Sequence, residues 1–289
     1  MVQPSMETLH TWQEICDLTV KRLQSQLDKN KDEKRFRKWF MKREKVGWRF
    51  SEWMVYRMFQ IWKELQLNLD HFIVNSGREG FGKSTLAMNE ACWIDPEFDL
   101  KNGVIYEVDR YVDIMLERLK EVKEAELKGE KVNWRVLVLD EGTELLSKDS
   151  TTSLAKDFQK VMLIQRVLKF CIIINIPNFF MLTSDIRLHR VRTLIDLNDK
   201  GSGWFFGDKK NRSIAIVSSK GAKLKHIQAS WVPVKWKRLF GFTLRFPDTL
   251  SFKEYSLLKL DGVGRTLDGI VENRDKRDKK AKNAKEKKA

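Results

Sequence analysis

The run Gly77-Arg78-Glu79-Gly80-Phe81-Gly82-Lys83-Ser84 has the residue types and spacing to hold a chain of phosphates. It reads G-x-x-x-x-G-K-S and continues into Thr85. Glycines let such a loop fold tightly, so that successive backbone N–H groups turn inward onto anionic oxygens. In this Walker A pattern Gly77, Gly80, Phe81, Gly82, Lys83, Ser84 and Thr85 line the nucleotide. Lys83 is placed to reach the β- and γ-phosphates, and the Ser84 hydroxyl to ligate Mg²⁺. The cofactors implied are therefore ATP and Mg²⁺. Hydrolysis needs more than a cradle, and Val136-Leu137-Val138-Leu139-Asp140-Glu141 supplies the candidates. Four apolar residues ending in Asp make a Walker B pattern, with Asp140 as the Mg²⁺-holding carboxylate. The adjacent Glu141 is a carboxylate that can orient or deprotonate an attacking water.

These groups need a strand before the loop, a helix after it and a second strand beneath Asp140. The sequence predicts all three. His71 to Ser76 is a short apolar strand that runs into the loop, and a helix follows from about Lys83 to Trp93, closed by Asp95-Pro96. Further strands are expected at Val104–Val108, Arg135–Asp140, Phe170–Asn175 and Thr193–Leu197. Helices are expected between them, one N-capped by Asp109 and fading near Gly129, another from about Ser153 to Leu168. Nearly continuous apolar strands alternating with helices imply a parallel sheet covered on both faces. In a five-stranded core of this kind, the strand ending at Asn175 lies between the Walker A and Walker B strands. Asp140, Glu141 and Asn175 then all fall at strand C-termini, where open parallel sheets place ligands.

Outside this core, residues 1–69 read as an N-terminal helical region, with Leu9, Trp12, Ile15, Cys16, Thr19, Leu23 and Leu27 at helical spacing. Within it, Lys34 to Arg43 interleaves cations with Phe36, Trp39 and Phe40. The rings are expected to pack on the core and the cations to stay available for phosphate contact. The core itself is placed at 70–222, ending in a hairpin or meander over 201–218. Residues 223–271 form a basic, aromatic extension, readable as an edge element or as a binding surface. Residues 272–289 read as a disordered basic tail, since 273–289 hold nine Lys or Arg and three acids.

The 289-residue chain carries a formal charge of +15, which points to a polyanionic partner such as nucleic acid or an acidic membrane surface. Cys16, Cys92 and Cys171 are widely spaced and the four histidines form no ligand pattern, which argues against disulfides and zinc. The longest apolar run, Phe170 to Ile174, is far short of the ~20 residues of a membrane helix. Acidic residues interrupt the N-terminus, so no signal peptide is read there. A cytoplasmic protein is expected.

The order of Walker A, Walker B with Glu141, a polar Asn175 and then an Arg-rich segment resembles the HerA/FtsK superfamily of motor ATPases. The stretch Asn175-Ile176-Pro177-Asn178, followed by Ile186 to Ile195, is similar to that family's passage from its sensor strand to an Arg-bearing strand. The family commonly has Gln where this chain has Asn175. The same region resembles viral and plasmid proteins of the zonula-occludens-toxin-like group. The resemblance spans roughly residues 70–220. It implies a RecA-like α/β P-loop core and a homo-oligomeric ring, a hexamer among the candidates. It also implies DNA as the substrate track, with a capsid or portal protein as a further partner. Such rings complete each site with an arginine from the neighbouring subunit, and Arg166, Arg187, Arg190 and Arg192 are the candidates. Two alternatives accompany a DNA-translocating motor: a zonula-occludens-toxin-like virion assembly ATPase, and an ATP-switched adaptor with little turnover.

Overall fold

The computed structural model describes residues 11–27, 31–106, 108–140, 165–183, 186–187, 190–207 and 237–265, with positions 268, 271 and 274. The chain divides into two compact units, Met1–Leu250 and Ser251–Ala289. The first begins with helices α1 (Trp12–Arg22), α2 (Lys31–Met41) and α3 (Glu52–Gln66). A capping box starts α1: the Thr11 hydroxyl accepts the Glu14 N–H, and the Glu14 carboxylate accepts that of Thr11. On α2 the aromatic residues face inward as expected. Phe36, Trp39 and Phe40 are buried, while Lys34, Arg35 and Lys38 are exposed, as is Lys42 just beyond the helix. Their rings meet Trp12, Phe59 and Trp93, which joins the N-terminal helices to the sheet-covering helix that carries Trp93.

That helix is α4 (Lys83–Ile94), which follows β1 (His71–Gly77). After it come α5 (Leu100–Gly103), β2 (Val104–Ile105), α6 (Val108–Lys128), β3 (Arg135–Leu139) and β4 (Phe170–Ile176). β5 (Val191–Asp199), β6 (Ser202–Gly207) and β7 (Lys237–Gly241) complete the sheet. Arg43 locks α4 to α2: its buried guanidinium donates to the carbonyls of Trp39, Trp93 and Ile94. Two of those carbonyls belong to the open C-terminal end of α4, so a cation there also meets the negative end of the helix dipole.

The seven strands lie in the order β2-β3-β4-β1-β5-β6-β7. β2, β3, β4, β1 and β5 are mutually parallel, whereas β6 and β7 add on antiparallel. β4 does lie between the strand that enters the phosphate loop and the strand that ends at Asp140. This is an α/β fold with the strand order of a RecA-like P-loop core. β1 and β4 are buried along almost their whole length, which explains why their sequences are apolar without alternation.

Three expectations change. β2 is two residues long rather than five, because among the described residues only Val104 and Ile105 find partners, Val138 and Leu139, at the edge of the sheet. α6 consequently begins at Val108, and Asp109 lies inside the helix instead of capping it. The hairpin is made by β5 and β6 around Lys200-Gly201, because Thr193 to Asp199 pairs with Ser202 to Gly207. The 214–217 segment, most of the 153–168 helix and all but position 274 of the 273–289 tail lie outside the described residues. Of the 223–246 stretch, 237–241 is an edge strand. In the second unit a helix, α7, covers residues 252–265, with the Ser251 hydroxyl accepting the Glu254 N–H at its start.

Candidate functional site

The phosphate loop leaves β1 at Gly77 and enters α4 at Gly82. Gly82 has φ +95°, and the Cβ of a side chain there would collide with Leu244 Cδ2. Both its left-handed backbone and its crowding require glycine. Gly80 also has positive φ, and among the described residues nothing lies within 4 Å of its missing Cβ, so they leave that side of the loop open. α4 has no side-chain cap. The first N–H groups of a helix have no intrahelical partner and can donate to anionic oxygens at its positive end. Lys83 Nζ donates to the carbonyls of Gly77 at 2.7 Å and Arg78 at 3.1 Å, which holds the ammonium within the loop.

Asp140 directly follows β3 and is 2% exposed. Ser84 Oγ donates to its Oδ1 at 3.0 Å, and Asn175 Nδ2 donates to the same oxygen at 2.8 Å. Three elements therefore converge: the start of α4, the end of β3 and the end of β4. An open cradle, an uncapped helix start, one ammonium and a hydroxyl–carboxylate pair form the donor set that a magnesium nucleotide requires. The residues present fit ATP and Mg²⁺: Ser84 and Asp140 could face a metal, and the loop from Gly77 to Thr85 could surround the phosphates.

A cavity of about 440 Å³ opens beside the loop, over the C-terminal ends of β1, β4 and β5. Arg78, Phe81, Asn178, Phe180 and Asp196 are among its lining residues. Burial raises the Asp196 carboxyl above the ordinary range, against a lowering hydrogen bond from Ser76 Oγ at 2.7 Å. Across α4, residues 242–248 form a strap. Thr243 N–H bonds the Arg49 carbonyl, Asn89 Nδ2 bonds the Arg245 carbonyl, and the Arg49 guanidinium pairs with Asp248.

The candidate arginines occupy different places. Arg187 lies over the Phe180 ring at 5.5 Å, which puts it beside a wall of the cavity, and burial lowers its pKa. Arg190 and Arg192 flank the start of β5. β5 is parallel to β1, with Phe72 opposite Val191 and Gly77 opposite Leu197. Both arginines are therefore at the sheet end opposite the loop, roughly 20 Å away at ~3.3 Å per residue. There Arg190 pairs with Asp70 at 2.6 Å and covers the Phe72 ring, and Arg192 is 3.8 Å from Asp70. Neither faces the loop of its own chain. Arg166 falls in a 3₁₀ turn, Gln165–Leu168, and Glu141 lies outside the described residues.

Two residues were missed from the sequence. Asn75 on β1 and Glu90 on α4 are fully buried and join the site through Asn175. A polar residue inside an apolar strand and a single carboxylate inside a wholly buried helix segment were the available signals.

No protein-family model matches the chain, and no curated protein matches it. Among solved structures, it is similar to the N-terminal domain of zonular occludens toxin from Neisseria meningitidis. That similarity has a TM-score of 0.32 and 14% identity, over 48% of this chain and 84% of that one. At that level it carries no functional weight, and the fold and site rest on the chain's own topology. No described helix is long and apolar enough to cross a membrane.

Proposed function

We propose that the chain is an ATP-hydrolysing, DNA-translocating motor that works as a homo-oligomeric ring, in viral genome packaging or plasmid DNA transfer. The observation that carries the nucleotide reading is the convergence of Ser84 and Asn175 on one oxygen of the buried Asp140, beside Lys83 in an open phosphate loop. Bound ATP with Mg²⁺ supplies the phosphoanhydride bond and the charge neutralisation its cleavage needs. The loop N–H groups and Lys83 would hold the phosphates in place. Ser84 and Asp140 would hold the metal, and Asn175 keeps the Asp140 carboxylate turned toward Ser84. Glu141 would take a proton from the attacking water on its carboxylate.

The DNA reading is supported by the +15 charge and by the exposed Lys34, Arg35, Lys38 and Lys42, whose neighbouring rings are committed to the core. Lysines and arginines on such a face release counterions from a phosphate backbone on binding. In a ring, an arginine from one subunit would complete the site of the next. Arg166, Arg187, Arg190 and Arg192 are the candidates for that role.

Phosphate release measured with duplex DNA, single-stranded DNA and no DNA tests the reading. Turnover stimulated by DNA is expected. Turnover indifferent to any DNA would refute translocation and favour an assembly ATPase of the zonula-occludens-toxin-like kind. Tight ATP binding with no turnover would favour a nucleotide switch.

A further inference from the structure

Behind the metal-facing pair, a single line of hydrogen bonds runs from the end of β3 across two strands and into α4. Asn175 Nδ2 donates to Asp140 Oδ1 at 2.8 Å. Asn75 Nδ2 donates to Asn175 Oδ1 at 3.1 Å and, with its second hydrogen, to Glu90 Oε2 at 2.8 Å. All four side chains are at most 2% exposed. β1 and β4 pair with Asn75 directly opposite Asn175, so the two amides meet side by side.

The direction of this line is forced. An Asp140 carboxylate only accepts, so Asn175 must present its NH₂ to it and its oxygen to Asn75. Asn75 must then present its own NH₂ to Asn175. Glu90 Oε2 is the acceptor that holds the other hydrogen of that NH₂. The oxygen of Asn75 takes no part in setting this orientation, since Asn75 Oδ1 has no hydrogen-bond partner among the described residues. Without Glu90 the second hydrogen of the Asn75 NH₂ loses its acceptor, so one contact instead of two holds the Asn75 amide and, through it, the Asn175 amide that presents its NH₂ to Asp140.

We infer that Glu90 is a positioning residue for the metal site, acting through Asn75 and Asn175 to hold Asp140 toward Ser84. The inference rests on the reading of Ser84 and Asp140 as the Mg²⁺ pair. Burial pushes the Glu90 carboxyl up to about 8, which is consistent with a neutral acid that accepts through Oε2. A neutral acid here avoids burying an unpaired charge. Glutamine retains the acceptor, whereas leucine fills the space without one.

The test compares wild type, Glu90→Leu, Glu90→Gln and Asn75→Ala, with Lys83→Ala as the control for loss of binding. A fluorescent ATP analogue is titrated in EDTA and then at increasing Mg²⁺. Glu90→Leu should raise the Mg²⁺ concentration for half-maximal binding at least tenfold and leave affinity in EDTA within twofold of wild type. Glu90→Gln should restore the wild-type Mg²⁺ response. Asn75→Ala should reproduce the leucine defect, and the double variant should be no worse than either, because both cut one line. A wild-type Mg²⁺ response in Glu90→Leu, or an equal loss with and without Mg²⁺, overturns the positioning role. If Glu90→Leu does not fold, Asn75→Ala decides on the same criterion. Wild-type protein whose ATP binding ignores Mg²⁺ overturns the metal-site reading itself, and this inference with it.

Discussion

Replacing Glu90 by glutamine should change how stability depends on pH, and not only its level. The Glu90 carboxyl is pushed from the ordinary 4.5 up to about 8, first by burial, with the hydrogen bond from Asn75 opposing. The unfolded chain lets this proton go near 4.5, whereas the folded chain keeps it to about 8. Unfolding therefore releases a proton in that window. The proton-linked stability is complete below about 4.5, falls as pH rises and is gone above about 8. At about 1.4 kcal/mol per pH unit, the whole window is worth about 5 kcal/mol. Glu90→Gln carries no proton to lose. The stability of wild type relative to the variant should thus fall by about 1.4 kcal/mol per unit from pH 5 to 8, then level off. Urea unfolding at pH 5, 6, 7, 8 and 9, followed by tryptophan fluorescence, reads this directly, because Trp39 and Trp93 are buried in the same unit. Parallel stability profiles for the two proteins would show that Glu90 is ionised in the folded state and would refute the reasoning.

Lys83→Ala should abolish ATP binding in calorimetry, because the loop loses the ammonium now held by the Gly77 and Arg78 carbonyls. Glu141→Gln should bind ATP but stop phosphate release, and turnover equal to wild type would remove Glu141 from the mechanism. Gly82→Ala should destabilise the protein by about 1–3 kcal/mol in denaturant, from positive φ and from the contact with Leu244. Leu244→Ala should recover only the part due to crowding. Mixing Lys83→Ala with a variant lacking one of Arg166, Arg187, Arg190 or Arg192 should recover turnover only when the missing arginine acts in trans. Such an arginine is worth roughly 10³–10⁵ in rate. Arg190→Ala should lower stability, through loss of the pair with Asp70.

What the sequence by itself determined was local. The phosphate loop is a contiguous spacing of glycines with Lys83 and Ser84. The apolar runs of β1, β3 and β4 are continuous because both sheet faces are covered. Asp140 and Asn175 stand out because each breaks such a run, Asp140 just after β3 and Asn175 one residue before the end of β4. The inward turn of Phe36, Trp39 and Phe40 follows from their spacing on one helix. What only the tertiary structure decided was pairing. Asn75 meets Asn175 because β4 inserts beside β1 in one register, and Glu90 meets Asn75 because α4 crosses that strand. Among the described residues β2 is two residues long, because it pairs there with the end of β3 alone. Arg190 and Arg192 sit at the far end of the sheet because β5 runs parallel to β1 and starts there, beside Asp70. Periodicity reports whether a residue is buried. A polar partner some hundred residues away depends on strand order and register, which are settled only when the whole sheet forms.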